Sequence, residues 1–190
     1  MYITRRIILL NVILTLVLLA MIIIKQWTLN TGTLVLLETE PIDPRSLFRG
    51  DYVRLNYVIS QLNLDSLQGD ANFKKNDKVF VVLEEGKPYW LPRSVYHNQP
   101  SLKNNEVAIK GILKSVQDIH HEDTNKTSSK ILHIRYGIEN YFVPEGEGRA
   151  LERPQGDKKV EMLIAVDKFG NAGIKSVLLD GERLYTETLF

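Results

Sequence analysis

The sequence predicts a mainly β protein: an N-terminal transmembrane helix followed by an antiparallel β sandwich or partly open barrel with one or two short helices. Three observations carry this reading. Residues 7–24, IILLNVILTLVLLAMIII, form one apolar run broken only by Asn11 and Thr15, while the remainder of the chain is mixed and polar. That remainder is dominated by short segments in which apolar and polar residues alternate with period two between Gly, Pro, Asn and Asp, the pattern of strands. Finally, 190 residues with 25% charged and 44% hydrophobic side chains suit one globular unit of about 100–200 residues and exclude disorder, collagen and low-complexity fibres.

The apolar run comes first. About 18–20 apolar residues at 1.5 Å rise each are needed to cross the hydrocarbon core, and residues 7–24 supply that, with Trp27 placed for an interfacial ring. Arg5 and Arg6 precede the run and a single Lys25 follows it, so the basic excess places the N-terminus in the cytoplasm. A cleavable signal peptide wants a shorter apolar core and a small-x-small cleavage site, whereas Ala20 stands alone among Leu, Met and Ile. The segment therefore reads as an uncleaved signal-anchor, dividing the chain into residues 1–27, the anchor, and 28–190, one compact extracytoplasmic β domain at the cell membrane.

The strands follow in order. Residues 33–39 and 51–58 come first, the second with Val53, Leu55 and Tyr57 on one side and Tyr52, Arg54 and Asn56 on the other. Residues 77–84 and 87–96 read as a hairpin about Glu85-Gly86, and 106–116 follow. In 130–138, Leu132, Ile134 and Tyr136 alternate with His133 and Arg135, and 141–143 is the expected mate. Residues 159–166 and 173–179 flank Asp167-Lys168-Phe169-Gly170-Asn171, rich in residues that tolerate positive φ. That makes eight or nine strands. Short helices are expected at 60–68 and 147–152, and 120–129 as a polar loop.

Composition narrows function. The chain has 24 Lys plus Arg against 23 Asp plus Glu; without Arg5, Arg6 and Lys25 the exported part carries 21 against 23, near −2, which makes nucleic acid a poor partner. The absence of cysteine removes disulfides, thiolate metal sites and cysteine nucleophiles together.

The most distinctive stretch is PIDPRSLFRGDYVRLNY, residues 41–57. Pro41 and Pro44 fix φ, Gly50 permits a bend, Arg45 and Arg49 offer forked donors, and Asp51 can accept from backbone or arginine. Tyr52 and Tyr57 have opposite strand parity, so one belongs to the core and the other faces outward. With Gly50-Asp51-Tyr52, Leu55 and Tyr57, the chain resembles the GDYXXLXY family of bacterial membrane-associated envelope proteins. The resemblance extends to Val35-Leu36-Leu37, the Pro41 to Leu47 turn, Tyr141-Phe142-Val143-Pro144-Glu145-Gly146 and the closing hairpin, residues 166–179. It implies an N-terminally anchored envelope protein with no assigned reaction, often encoded beside multi-pass membrane proteins of equally unknown role. Arg45, Arg49, Asp51, Tyr52, Tyr57 and Glu145 are the candidate interaction surface for an integral membrane protein partner; the competing reading of the motif is a rigid turn into a strand.

Catalytic readings have less behind them. Leu47-Phe48-Arg49-Gly50-Asp51 is loosely similar to a fragment of membrane-anchored serine/lysine signal peptidases, but the position of their nucleophile, five residues before the leucine, is Ile42 here. Ser46 with Lys110 or Lys114 is the nameable substitute, although a turn serine bonding its own backbone explains Ser46 more simply. His120-His121-Glu122-Asp123 reads as a solvated loop rather than a metal site, with His97 and His133 remote in sequence. Glu145, Glu147, Glu152, Arg149 and Arg153 read as surface ion pairs rather than a glycosidase acid pair, and the Asn125-Lys126-Thr127 sequon matters only in a eukaryotic secretory route. The expectation is a non-catalytic interaction domain without metal or cofactor, with an envelope hydrolase or a small-ligand binder as alternatives.

Overall fold

A computed structural model describes residues 2–40, 52–119, 129–142 and 159–186. It shows one N-terminal helix joined to two packed β-sheets, a sandwich rather than a closed barrel. The helix, α1 (Tyr2–Thr31), extends past the apolar run on both sides. It is long and apolar enough to cross a membrane, and its apolar window is not buried inside the protein.

Thirteen strands follow among the described residues: β1 (Thr33–Glu40), β2 (Tyr52–Arg54), β3 (Asn56–Tyr57), β4 (Gln61–Asn63), β5 (Gln68–Gly69), β6 (Lys78–Glu84), β7 (Leu91–Tyr96), β8 (Glu106–Ile119), β9 (Ser129–Arg135), β10 (Asn140–Phe142), β11 (Val160–Val166), β12 (Ala172–Leu179) and β13 (Glu182–Thr186). One sheet has the order β13-β12-β11-β1-β3, the other β4-β9-β8-β6-β7-β5, and β2 and β10 form a separate two-stranded ribbon. The pairings are antiparallel except β5 with β7.

Alternation explains the core. Val35 and Leu37 of β1, Met162 and Ile164 of β11, and Ile174 and Val177 of β12 face Val79, Val81 and Leu83 of β6, Ile109 and Leu113 of β8, and Leu132 and Ile134 of β9 in one apolar cluster. Each such side chain stabilises the fold by about 1.5–3 kcal/mol on burial, so the sandwich stands without disulfides.

The junction between helix and sandwich is tight. Thr28 and Leu29 are buried, Thr28 Oγ1 donates to Asp167 Oδ2 at 2.9 Å, and Lys175 Nζ donates to the Leu29 carbonyl at 2.8 Å, meeting one of the acceptors a helix C-terminus leaves unpaired. Leu29 packs where Gly173 leaves room; a Cβ there would come within 2.9 Å of its Cδ2. Gly32 turns the chain directly into β1, and a Cβ on it would meet Thr28 O at 2.6 Å and Val166 N at 2.9 Å. No tether separates helix from sheet.

Four local expectations change. Residues 51–58 are not one strand: the Leu55 N–H donates to the Glu139 carbonyl at 2.7 Å in register with the β2–β10 pairing, whereas Asn56 and Tyr57 pair with β1, so the stretch changes partner between β2 and β3. Tyr141 and Phe142 do not pair with the strand before them, because the chain turns at Gly137 (φ +87°) and β10 runs along β2 instead; Val143 lies outside the described residues. The hairpin about Glu85-Gly86 is a wider connection over 85–90, since the Trp90 N–H is drawn to the Leu36 carbonyl on β1 at 3.1 Å and β7 starts only at Leu91. Residues 60–68 hold no α-helix: Leu62 is buried in β4, paired to Leu132, between two 3₁₀ turns, Val58–Ser60 and Leu64–Ser66. The expected helix at 147–152 lies outside the described residues.

Candidate functional site

The motif of residues 50–57 divides at Leu55. Its C-terminal half is core. Leu55 is buried, and Tyr57 is fully so, with its hydroxyl donating to the Ile138 carbonyl at 2.7 Å. The connection after β9 returns the arrangement: buried Tyr136 donates its hydroxyl to the Ile59 carbonyl at 2.7 Å. Each tyrosine thus bonds the residue two beyond the other, latching 57–59 to 136–138 from both sides. Glu139 closes the latch, accepting from the Tyr136 N–H at 2.5 Å and the Gly137 N–H at 3.0 Å while its own carbonyl holds Leu55. Burial, and secondarily the Glu139 carboxylate, push both phenols well above their ordinary range, so they remain hydrogen-bond donors. Tyr57 therefore serves the core and not an exposed surface. Tyr136 and Glu139 were not singled out from sequence; the one signal was Tyr136 sharing parity with Leu132 and Ile134 ahead of Gly137.

The N-terminal half leads elsewhere. Tyr52 stands opposite Phe142, Val53 opposite Tyr141 and Arg54 opposite Asn140. Because the pairing is antiparallel, the chain preceding Tyr52, with Asp51, Arg49 and Arg45, and the chain following Phe142, with Glu145, are joined to the same end of the ribbon. The points from which these two segments leave, Tyr52 and Phe142, lie opposite one another although they are 90 residues apart in sequence. Arg45, Arg49, Asp51 and Glu145 themselves lie outside the described residues, as does Ser46. The ribbon adjoins the end of β1 remote from α1, since Glu40 pairs with Asn56 and Thr39 with Tyr57. At about 3.3 Å per residue, β1 carries the chain roughly 25 Å from the helix junction.

Other polar groups have local work. Tyr89 reaches across from the 85–90 connection to donate to the buried Glu161 at 2.6 Å, whose second oxygen accepts from the Gly181 N–H at 2.8 Å. Burial first, then the Glu161 bond, raise the Tyr89 phenol strongly. Lys159 pairs with Glu38 at 2.6 Å. His97 sits between Asp70 and Asp77 with its ring stacked on Phe73, centroids 4.4 Å apart, and the His97 N–H and ring hold Asp70 below the usual carboxylate range. His133 Nε2 lies 3.3 Å from Gln117 Oε1. Lys110 donates to Asn171 Oδ1 at 2.8 Å. Among the described residues no group of three His, Asp or Glu is arranged to hold a metal ion; residues 120–123 lie outside them.

No curated protein and no solved structure matches the chain. The family model described as GDYXXLXY protein matches residues 14–177, from the middle of α1 through β12 and so across both halves of the motif. The chain belongs to the GDYXXLXY protein family.

Proposed function

We propose that this is a single-pass membrane protein of the bacterial envelope, N-terminus in the cytoplasm, whose extracytoplasmic β domain is non-catalytic and works as an accessory subunit of a multi-pass membrane protein. One observation supports the reading: the register of β2 with β10 sets Tyr52, into which the Arg45 to Asp51 segment leads, opposite Phe142, from which the chain runs on to Glu145, in a ribbon that belongs to neither main sheet. Leu55 and Tyr57 supply the rigid base, which leaves the arginines and Asp51 for recognition of carboxylates or backbone on a neighbour. The docked last turn of α1 supports an uncleaved anchor, because the end of the helix belongs to the folded domain. Confinement at the bilayer raises the effective concentration of such a neighbour, so modest affinity suffices.

The test is site-specific photocrosslinking in native membranes from positions 49 and 52, with Glu182, exposed at the β12–β13 turn, as the reference position. A single multi-pass membrane protein captured from 49 and 52 and not from 182 is expected. Adducts absent at all three positions, or the same adducts at 182, would defeat the proposal.

A further inference from the structure

β11 runs toward the end of α1 and β12 runs away from it, so the turn between them, residues 167–171, projects from the edge of the sandwich where the helix docks. Its depth follows from Thr28, whose hydroxyl is bonded to Asp167. Thr28 is four residues past Ile24, about 6 Å along the axis at 1.5 Å per residue. Headgroups occupy roughly 5–7 Å on each side of the hydrocarbon core. With residues 7–24 in that core, the turn lies at headgroup depth.

The side chains suit that depth. Phe169 at the tip is 58% exposed and Trp27 on the helix is 67% exposed, two large aromatics at the level where amphipathic rings collect. Lys168 Nζ lies 5.0 Å from the Phe169 ring centroid, and among the described residues no carboxylate pairs with it. Lys25 and Lys175 flank the same junction. The acid within the turn, Asp167, is occupied: Oδ1 accepts from the Phe169 and Asn171 N–H groups and Oδ2 from Asn171 Nδ2 and Thr28, all at 2.9 Å. The turn is also held from the opposite sheet, where the Lys110 N–H donates to the Gly170 carbonyl at 2.8 Å and Gln99 Nε2 to the Lys168 carbonyl at 2.5 Å.

We infer that the β11–β12 turn is a second membrane contact, in which Phe169 and Lys168, beside Trp27, rest among the lipid headgroups and hold the domain at a fixed attitude. The inference depends on α1 being a membrane anchor, as proposed above. The occupant is lipid because the patch is continuous with the helix that enters the bilayer, and because exposed aromatic rings of this kind collect at the headgroup level. A consequence is that the motif ribbon, at the opposite end of β1, is presented at a set height above the bilayer instead of swinging on a tether.

The chain has no cysteine, so single-cysteine labelling is direct. Full-length protein carrying a fluorophore at Phe169→Cys is reconstituted in phosphatidylcholine/phosphatidylglycerol vesicles containing lipids with a nitroxide at the headgroup or mid-chain. Leu16→Cys and Glu182→Cys serve as deep and distal references, and Lys168→Cys as a second turn position should Phe169→Cys prove unstable. The expected result is strong quenching of the 169 or 168 label by headgroup nitroxide, several-fold above the 182 label. Quenching at the turn no greater than at 182, with the 16 label quenched by mid-chain nitroxide, overturns the contact while leaving the anchor intact. A 16 label that escapes mid-chain nitroxide overturns the anchor itself, and the contact with it.

Discussion

The reciprocal tyrosine latch gives the sharpest stability prediction. Tyr57→Phe removes one oxygen from a fully buried ring and leaves the Ile138 carbonyl without its 2.7 Å donor; Tyr136→Phe does the same to the Ile59 carbonyl. Ring volume is retained, so no cavity cost enters, and the expected loss is that of a buried hydrogen bond whose acceptor is left unsatisfied, about 1–3 kcal/mol each. For a chain of this size that corresponds to a fall in Tm of about 2–4 °C per kcal/mol. The assay is thermal unfolding of the full-length chain in mild detergent, followed by near-ultraviolet circular dichroism, with Tyr96→Phe, which removes no hydrogen bond among the described residues, as the control. If both latch variants melt within about 0.5 kcal/mol of wild type, Tyr57 and Tyr136 do not hold the two segments together, and the division of the motif into a core half and a recognition half loses its base.

Further outcomes follow from the same geometry. Gly32→Ala places a Cβ against the backbone of Thr28 and Val166 and is expected to cost about 1–3 kcal/mol, read in the same melt. The bonds from Asn171, Thr28 and Phe169 hold Asp167 below its ordinary value even though burial alone would raise it. Its stabilisation is therefore complete above the unfolded carboxyl pKa of about 3.9 and is lost as pH falls through the lower folded value; Asp167→Asn should lower stability at neutral pH and flatten this acid limb. At the alkaline end the signs reverse. Tyr57, Tyr89 and Tyr136 are raised, so they contribute stability that is full below about pH 10 and declines above it, and their phenolate absorbance should develop only with unfolding. Topology has its own test: a membrane-impermeant thiol reagent applied to intact cells should modify Glu182→Cys at once and Tyr2→Cys only after lysis.

Much of the sandwich was legible because alternation is a local signal. Val35 and Leu37, Leu132 and Ile134, and Ile164 with Ile174 are buried as their parity requires. The Asp167 to Asn171 turn likewise joins the strands its residues suggested. What escaped reading depends on partners remote in sequence. Leu55 looks like any strand residue, yet it is where the chain changes partner from β10 to β1, and residues 87–90 alternate adequately but are pulled aside by Leu36. β13 was missed altogether. The candidate site shows the same division: the motif was visible as a string, and Tyr52 and Tyr57 were expected to serve different surroundings, but nothing local indicated that Tyr136 would complete the latch. Nor did sequence spacing show that Tyr52 and Phe142 stand opposite one another, which is a property of the β2–β10 register.

The central claim is that the residues leading into this ribbon recognise a membrane partner and are not needed to hold the fold. It is tested most directly by co-purification from native membranes in mild detergent, comparing wild type with Arg49→Ala and Asp51→Ala, each melted in parallel. The expected result is that one multi-pass membrane protein is recovered in stoichiometric amount with wild type and lost from both variants while their melting temperatures stay at the wild-type value. Recovery of the same protein with both variants, or loss that accompanies a collapse in Tm, would contradict it.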